Sequence, residues 1–124
     1  MNVKDLMIET IQAEYKDIPI IQQGSMAEED AYPASFFTFF NNAVDGNEYY
    51  DNIEGSYIWD FDLNFYSEDP ALVNSMLLEA KRLLRAKGFI IDGKGYDVLS
   101  DESTHTGRGI NVIYIEKEDI NYGI

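Results

Sequence analysis

Residues 56–89 read SYIWDFDLNFYSEDPALVNSMLLEAKRLLRAKGF, and this stretch decides the fold. Its first part alternates between apolar and polar side chains, which is the period of a strand with one wet face. The apolar positions are Tyr57, Trp59, Phe61, Leu63 and Phe65, and the polar positions are Ser56, Asp60, Asp62 and Asn64, with Ile58 and Tyr66 as exceptions. The pattern predicts one long strand over 55–66 that buries a single face.

A helix is predicted directly after this strand. Asp69 is a preferred N-cap residue, Pro70 suits the first helical position, and Gly88 suits the left-handed conformation just past the end. Apolar residues recur within an arc of about 140° on a helical wheel. They are Leu72, Val73, Met76, Leu77, Ala80, Leu83 and Leu84. The helix is expected to lie back on the strand, and the expected contacts join Leu77, Ala80 and Leu84 to Trp59, Phe61 and Leu63.

The segment before this unit predicts a helix and two strands. Asn2 is expected to cap the helix, whose apolar stripe is Val3, Met7, Ile11 and Tyr15. Pro19 ends the helix and confines the short strand at 18–21 to a sheet edge. Residues 35–40, SFFTFF, carry phenylalanine on both faces, which predicts a central strand covered on each side or by a partner. The turn signal at 45–47 predicts a long connection over 41–52.

The segment after the helix predicts the last two strands. One begins at 89–91 and turns at 92–95, and residues 96–99 continue it or form a short strand of their own. A polar loop at 100–107 leads to a final strand at 108–116 and a loosely held tail at 117–124. The order α-β-β-β-α-β-β predicts an α+β fold, a two-layer sandwich. We expect an antiparallel or mixed sheet of four to five strands with both helices on one face, in a single domain over 1–124.

The charge of the chain limits its partners. There are 23 Asp and Glu residues against 9 Lys and Arg residues, which gives a formal net charge of −14. Binding to phosphates needs cations, so tight binding to nucleic acid or to an anionic membrane is not expected. No apolar run is long enough to span a membrane, and the N-terminus lacks the apolar region of a signal peptide. The absence of cysteine excludes disulfides and thiolate chemistry and fits intracellular synthesis.

No residue pattern predicts catalysis or a resident cofactor. His105 is the single histidine, and neither further histidines nor cysteines exist to complete a metal site, nor is there a nucleophile elbow for a triad. The acidic run at 28–30 lacks the spacing of a calcium loop. Asp60 and Asp62, two apart on one strand face, are interpreted as a wet sheet face rather than a sugar site. We therefore expect no enzyme activity, no catalytic residues, no metal and no cofactor.

Residues suited to protein contacts are more prominent. The candidates are Tyr32, Tyr49, Tyr50, Leu78, His105 and Arg108. The tyrosines lie in predicted loops, and Leu78 projects from the polar side of the helix. Arg108 is a fixed cation in an acidic chain and would suit a carboxylate on a neighbouring subunit. The loop at 100–109 is therefore expected to be a contact element, in which His105 makes local hydrogen bonds or touches a partner.

Four segments together resemble one family. They are AYPASFFTFFNN at 31–42, YYDN at 49–52, DPALVNSMLLEAKRLL at 69–84 and GFIIDGKGYDVLSDESTHTGR at 88–108. The pattern resembles small neck proteins of phage and prophage tail modules of Gram-positive bacteria: tail-completion, tail-terminator or head–tail joining proteins. The resemblance implies a virion structural protein at the head–tail junction or tail end. Its implied partners are copies of itself in a ring, expected to be a hexamer, and tail tube or head–tail connector proteins. Its implied location is the host cytoplasm during assembly and then the virion.

Two functional hypotheses stay open at this point. A ring through which DNA passes benefits from acidic walls, because like charge keeps the duplex from adhering. The same acidity also suits a small intracellular binding or regulatory domain that mimics nucleic acid. The composition fits both.

Overall fold

Two helices and five strands follow one another in the predicted order, in a computed structural model that describes residues 2–25, 31–46 and 56–117. The helices are α1 (Val3–Glu14) and α2 (Pro70–Ala86), and the strands are β1 (Ile20–Gln22), β2 (Ser35–Gly46), β3 (Ser56–Ser67), β4 (Tyr96–Val98) and β5 (Thr106–Lys117). The α-β-β-β-α-β-β arrangement predicted from the sequence is confirmed.

The strands form one mixed five-stranded sheet in the order β1-β2-β3-β5-β4. β1 pairs with β2 in parallel, and the other three pairings are antiparallel. The short strand after Pro19 lies at an edge, as predicted, and β4 forms the opposite edge. The three long strands are the centre of the sheet, so most of its surface belongs to β2, β3 and β5.

Both helices cover the same face of the sheet. The core combines residues of β2, β3 and β5 with residues of α1 and α2. Its fully or almost fully buried members include Phe37, Phe39, Phe61, Leu63, Phe65, Ile110 and Val112 from the strands, and Val3, Met7, Ile11, Leu77, Ala80 and Leu84 from the helices. The predicted inner faces of the long strand and of both helices are therefore confirmed, except at Tyr57 and Leu72, which are 41% and 39% exposed. Trp59 is only half-buried; it lies near the start of β3, where its indole donates to Glu116.

The predicted helix starts are also confirmed. Asn2 Oδ1 accepts a hydrogen bond from the Asp5 amide at 3.2 Å, and Asp69 Oδ1 accepts one from the Ala71 amide at 3.0 Å. These side chains satisfy amide groups that have no partner within the helix. Gly88 has φ +99° just after α2, a conformation that side chains rarely adopt.

Several predicted boundaries were wrong; the short strand predicted at 18–21, for example, spans Ile20–Gln22. β2 does not end at Phe40 but continues to Gly46, since a bulge between Asn41 and Ala43 restores its pairing with β3. Residues 89–91 form no strand; Ile90 alone bridges Ile113, because Gly93 and Gly95 adopt left-handed conformations that turn the chain. The last strand spans Thr106–Lys117 rather than 108–116. The single domain over 1–124, the part of the predicted connection 41–52 after Gly46 and the predicted tail 117–124 after its first residue lie outside the described ranges and stay predictions.

Candidate interaction surfaces

The sheet face that carries no helix is here called the open face. Alternation along the strands and the strand register place one set of side chains on it. This set comprises Phe36, Thr38 and Phe40 of β2, Ile58, Asp60, Asp62, Asn64 and Tyr66 of β3, and Gly107, Gly109, Asn111, Ile113 and Ile115 of β5. Along its length the open face has an aromatic end, an acidic middle and an isoleucine-rich end.

Four rings cover the aromatic end. The ring of Phe36 lies 5.4 Å from Tyr32, 5.3 Å from Tyr66 and 5.9 Å from His105, measured between centroids. Phe36 is buried although it lies on the open face, because this cluster covers it. Phe40, further along the same strand, is 47% exposed. The aromatic strand is thus covered on both faces at its beginning and not at Phe40.

His105 fixes the loop before β5 to the segment before β2. Its Nε2 donates to the carbonyl oxygen of Pro33 at 2.8 Å, because a carbonyl can only accept. Nδ1 is then the acceptor for the Thr104 hydroxyl at 2.9 Å. The side chain is only 6% exposed, so its hydrogen bonds are buried and contribute to the stability of the fold. Two interpretations of His105 followed from the sequence. The local hydrogen bonds are present, and the contact with a partner stays a prediction.

A cleft of about 430 Å³ opens beside this cluster. Its lining comes from the end of β1, from the aromatic rings and from the loop before β5: Ile21, Gln22, Gln23, Gly24, Tyr32, Phe36, Thr38, Tyr66, Leu99, Ser100, Asp101 and Glu102. The Tyr32 hydroxyl donates to Asp101 Oδ2 at 3.4 Å. Two carboxylates and no cation line the cleft, so it is poorly suited to an anion.

The phenols of this cleft are held in their protonated form. Burial raises the pKa of Tyr66, which the neighbouring Thr38 and Asn64 side chains partly oppose. Burial and then the charge of Asp101 raise the pKa of Tyr32. Among the described residues, Thr38 Oγ1 and Asn64 Oδ1 are buried without a hydrogen bond of normal geometry, although both side chains lie beside the Tyr66 hydroxyl. The cleft therefore offers neutral hydroxyl groups over an aromatic floor.

The acidic middle of the open face is organised by an asparagine. Asn111 Nδ2 donates to Asp60 Oδ1 at 2.6 Å and to the Phe61 carbonyl oxygen at 3.1 Å, and it lies 3.5 Å from Asp62 Oδ1. The Tyr96 hydroxyl lies 3.5 Å from the same Asp62 oxygen. Burial, and then the charge of this carboxylate, raise the pKa of Tyr96. The two carboxylates are held in place on a wet sheet face, as the sequence predicted.

Isoleucines occupy the far end of the open face. Ile58 pairs with Ile115 across β3 and β5, and Ile90 bridges Ile113 from the adjoining segment. Ile90 is 46% exposed and Ile115 is 43% exposed. Apolar side chains that lie together at this exposure are typical of a surface that binds another protein.

The ion-pair partner of Arg108 is a carboxylate of the same chain. Its guanidinium donates to Asp97 Oδ1 at 2.8 Å and to the Lys94 carbonyl oxygen at 3.0 Å, so it joins β5 to the edge strand β4. The sequence had predicted a carboxylate on a neighbouring subunit. Asp97 supplies it instead, since the β4–β5 register places the two residues directly opposite each other. Asp97 remains 89% exposed, and a contact of Arg108 with a partner stays a prediction.

The outer side of α2 carries a hollow of about 360 Å³, here called the basic hollow. It is lined by Leu78, Lys81, Arg82, Arg85 and Lys94. Lys81 Nζ donates to the Gly93 carbonyl oxygen, which ties the loop after α2 to the helix. Arg82 forms an ion pair with Glu79 at 2.6 Å and thereby lowers the pKa of that carboxyl group.

The sequence did not predict the basic hollow as one surface. Leu78 was singled out, but the basic run was interpreted only as a complement to the helix dipole. The helical spacing of residues 78, 81, 82 and 85 was the available signal, whereas the addition of Lys94 depends on the turn at Gly93 and Gly95. Tyr49 and Tyr50, the remaining candidate contacts, lie outside the described residues.

The described ranges, 2–25, 31–46 and 56–117, contain no group of three or more histidine, cysteine or acidic residues that could hold a metal ion. No helix within them is long and apolar enough to cross a membrane. Comparison with protein-family models found no match for this chain, and comparison with curated proteins found none either.

Proposed function

We propose that this protein is a phage or prophage virion structural subunit that acts at the head–tail junction or tail end without catalysis. The observation that carries the proposal is the open face. Helices cover one side of the sheet, and the other side exposes isoleucines and Phe40. Sheets in globular proteins bury their apolar faces against another layer, so this exposure favours a protein that gains its second layer on assembly.

The proposed place in the virion rests on the family resemblance and on the net charge of the chain. The segments at 31–42, 49–52, 69–84 and 88–108 resemble tail-module neck proteins, whose copies form rings. With a net charge of −14, the subunits would repel a DNA duplex that passes through such a ring. The proposed partners are further copies, in a ring of six, and the tail tube or head–tail connector. The protein would act in the host cytoplasm during assembly and then in the virion.

Deletion of the gene from a phage that carries it tests this role. The expected result is separated heads and tails, or tails of uncontrolled length, with normal phage transcription. A copy of the wild-type gene supplied in trans serves as the control and is expected to restore virions. Intact virions with altered transcription would refute the structural role and favour the second candidate.

That second candidate is a small acidic binding or regulatory domain that mimics nucleic acid. The carboxylates of Asp60 and Asp62 favour it, since Asn111 holds both on one face of the same strand. A mimic would displace DNA from a cationic DNA-binding protein. Replacement of both aspartates by asparagine would then weaken that competition, whereas the structural role requires no such competition.

A further inference from the structure

We infer that the basic hollow on α2 of one copy docks on the acidic middle of the open face of the next copy. This contact deepens the proposed function and rests on it, because it names the two surfaces that would join neighbouring subunits. The occupant of the hollow is therefore a second copy of this chain, with Asp60 and Asp62 facing Arg85 and Lys94.

Charge complementarity is the first argument. Four of the nine cationic residues of the chain line the hollow, and one of them, Arg82, is ion-paired with Glu79, which leaves Lys81, Arg85 and Lys94 to face a partner. The middle of the open face carries the carboxylates of Asp60 and Asp62, both held by Asn111. In a chain with a net charge of −14, a concentrated basic patch has the chain's own acidic surface as a complementary partner.

Apolar groups accompany the charges on both surfaces. Leu78, which is partly buried, lies among the cations of the hollow. Ile58 and Ile113 flank Asp60 on the open face, since Asp60 pairs with Ile113 across β3 and β5. A contact between these surfaces would bury apolar side chains within a charged rim, which is the usual anatomy of a specific interface.

The placement of the two surfaces also favours the contact. The hollow lies between α2 and the turn at Gly93 and Gly95, and the open face carries no helix, so the hollow and the acidic middle are two different surfaces of the subunit. Surfaces of this kind join copies head to tail, and such contacts generate rings or filaments rather than closed dimers. The 17 residues of α2 extend about 25 Å, which fits along the roughly 40 Å of a 12-residue strand.

Charge reversal tests the contact. Arg85→Glu with Lys94→Glu should weaken self-association about tenfold or more, measured by sedimentation over a range of protein concentrations. The matched control is Lys4→Glu with Lys16→Glu, which changes the net charge equally but lies on α1 and just after it, away from the hollow. This control should show only the small loss that the added repulsion causes.

Exchange of the charges provides the decisive experiment. The quadruple variant that adds Asp60→Lys and Asp62→Lys regains the wild-type net charge and should regain association. The double variant Asp60→Lys with Asp62→Lys, mixed in equal amounts with Arg85→Glu and Lys94→Glu, should also associate. Each of these two double variants supplies the surface that the other has lost. Asp60→Asn with Asp62→Asn keeps the side-chain shapes beside Asn111 and should weaken association if the lysine variant fails to fold.

The outcomes separate this interface from the proposed function. Equal effects of the hollow variant and its α1 control, or loss without rescue by the exchanged charges, would refute the interface while leaving the assembly role intact. A wild-type chain that stays monomeric at every concentration and in the presence of tail tubes would also refute the interface. Failure of the proposed function is seen independently, as intact virions after deletion of the gene.

Discussion

The ring of Tyr66 lies directly over Gly107, its partner across β3 and β5. A Cβ atom on Gly107 would lie 2.6 Å from Tyr66 Cδ1 and 2.8 Å from Val98 Cγ2. The aromatic end of the open face therefore depends on a position without a side chain, because the ring occupies the space that one would need.

Substitution of Gly107 by alanine should destabilise the protein by about 1–3 kcal/mol through overpacking. Urea unfolding, followed by the fluorescence of Trp59, measures this loss. Removal of the ring in the double variant Gly107→Ala, Tyr66→Ala should make the alanine at 107 less costly, so the two substitutions should be non-additive. Equal costs of Gly107→Ala with and without the ring would contradict the stacking.

The local features of the fold were predictable and the long-range ones were not. Asp69 and Pro70 start α2 through groups adjacent in sequence, and the alternation of β3 identifies its buried face within one strand. The hydrogen bond from His105 to Pro33 joins residues 72 apart, and no sequence period encodes it. The Asn41/Ala43 bulge is equally invisible, since it depends on the register with β3. Asp97 could not be predicted as the partner of Arg108 for the same reason, since their contact depends on the register of β4 with β5.

The buried imidazole should make His105 important for stability. His105→Ala removes the donor to Pro33 and leaves that acceptor without its partner, at a cost of about 1–3 kcal/mol. His105→Gln can place an amide donor near the Nε2 position and should retain more stability than His105→Asn, whose shorter side chain cannot. Thermal unfolding of the three variants compares them, and equal melting temperatures for wild type and His105→Ala would contradict the role.

Arg108 should hold the edge strand β4 in place. Arg108→Lys keeps the charge, but a single ammonium group cannot replace the guanidinium that donates to Asp97 and to the Lys94 carbonyl oxygen. Amide hydrogen exchange of 94–98 should therefore become faster in this variant, while exchange in α2 stays unchanged. Asp97→Asn provides the control, because it weakens the ion pair alone and should have the smaller effect.

Trp59 should contribute less to stability than Phe61, although both lie on the inner face of β3. Phe61 is fully buried, and Phe61→Ala should cost about 3–5 kcal/mol. Trp59 is half-buried, stacks on Phe61 at 5.9 Å and donates to Glu116 Oε1 at 2.9 Å. We expect Trp59→Ala to cost about 1–2 kcal/mol, as less surface is returned to water. Circular dichroism during urea unfolding avoids the loss of the fluorescent probe, and an equal cost at both positions would place Trp59 in the core.

Alkaline pH should destabilise the protein through the partly buried phenols of Tyr66 and Tyr96. Burial raises the pKa of Tyr66 and Tyr96 above the ordinary value of 10.0, with Asp62 adding to the effect on Tyr96. In the unfolded chain both phenols release their protons at a lower pH than in the fold. Their contribution to stability is therefore fully present below the unfolded pKa and is lost as pH rises through the folded pKa. Urea midpoints should fall across this alkaline window, and phenolate absorbance should appear later in the folded than in the unfolded protein. Tyr66→Phe removes one of these groups and should make the fall shallower; an unchanged slope would show that Tyr66 ionises alike in both states.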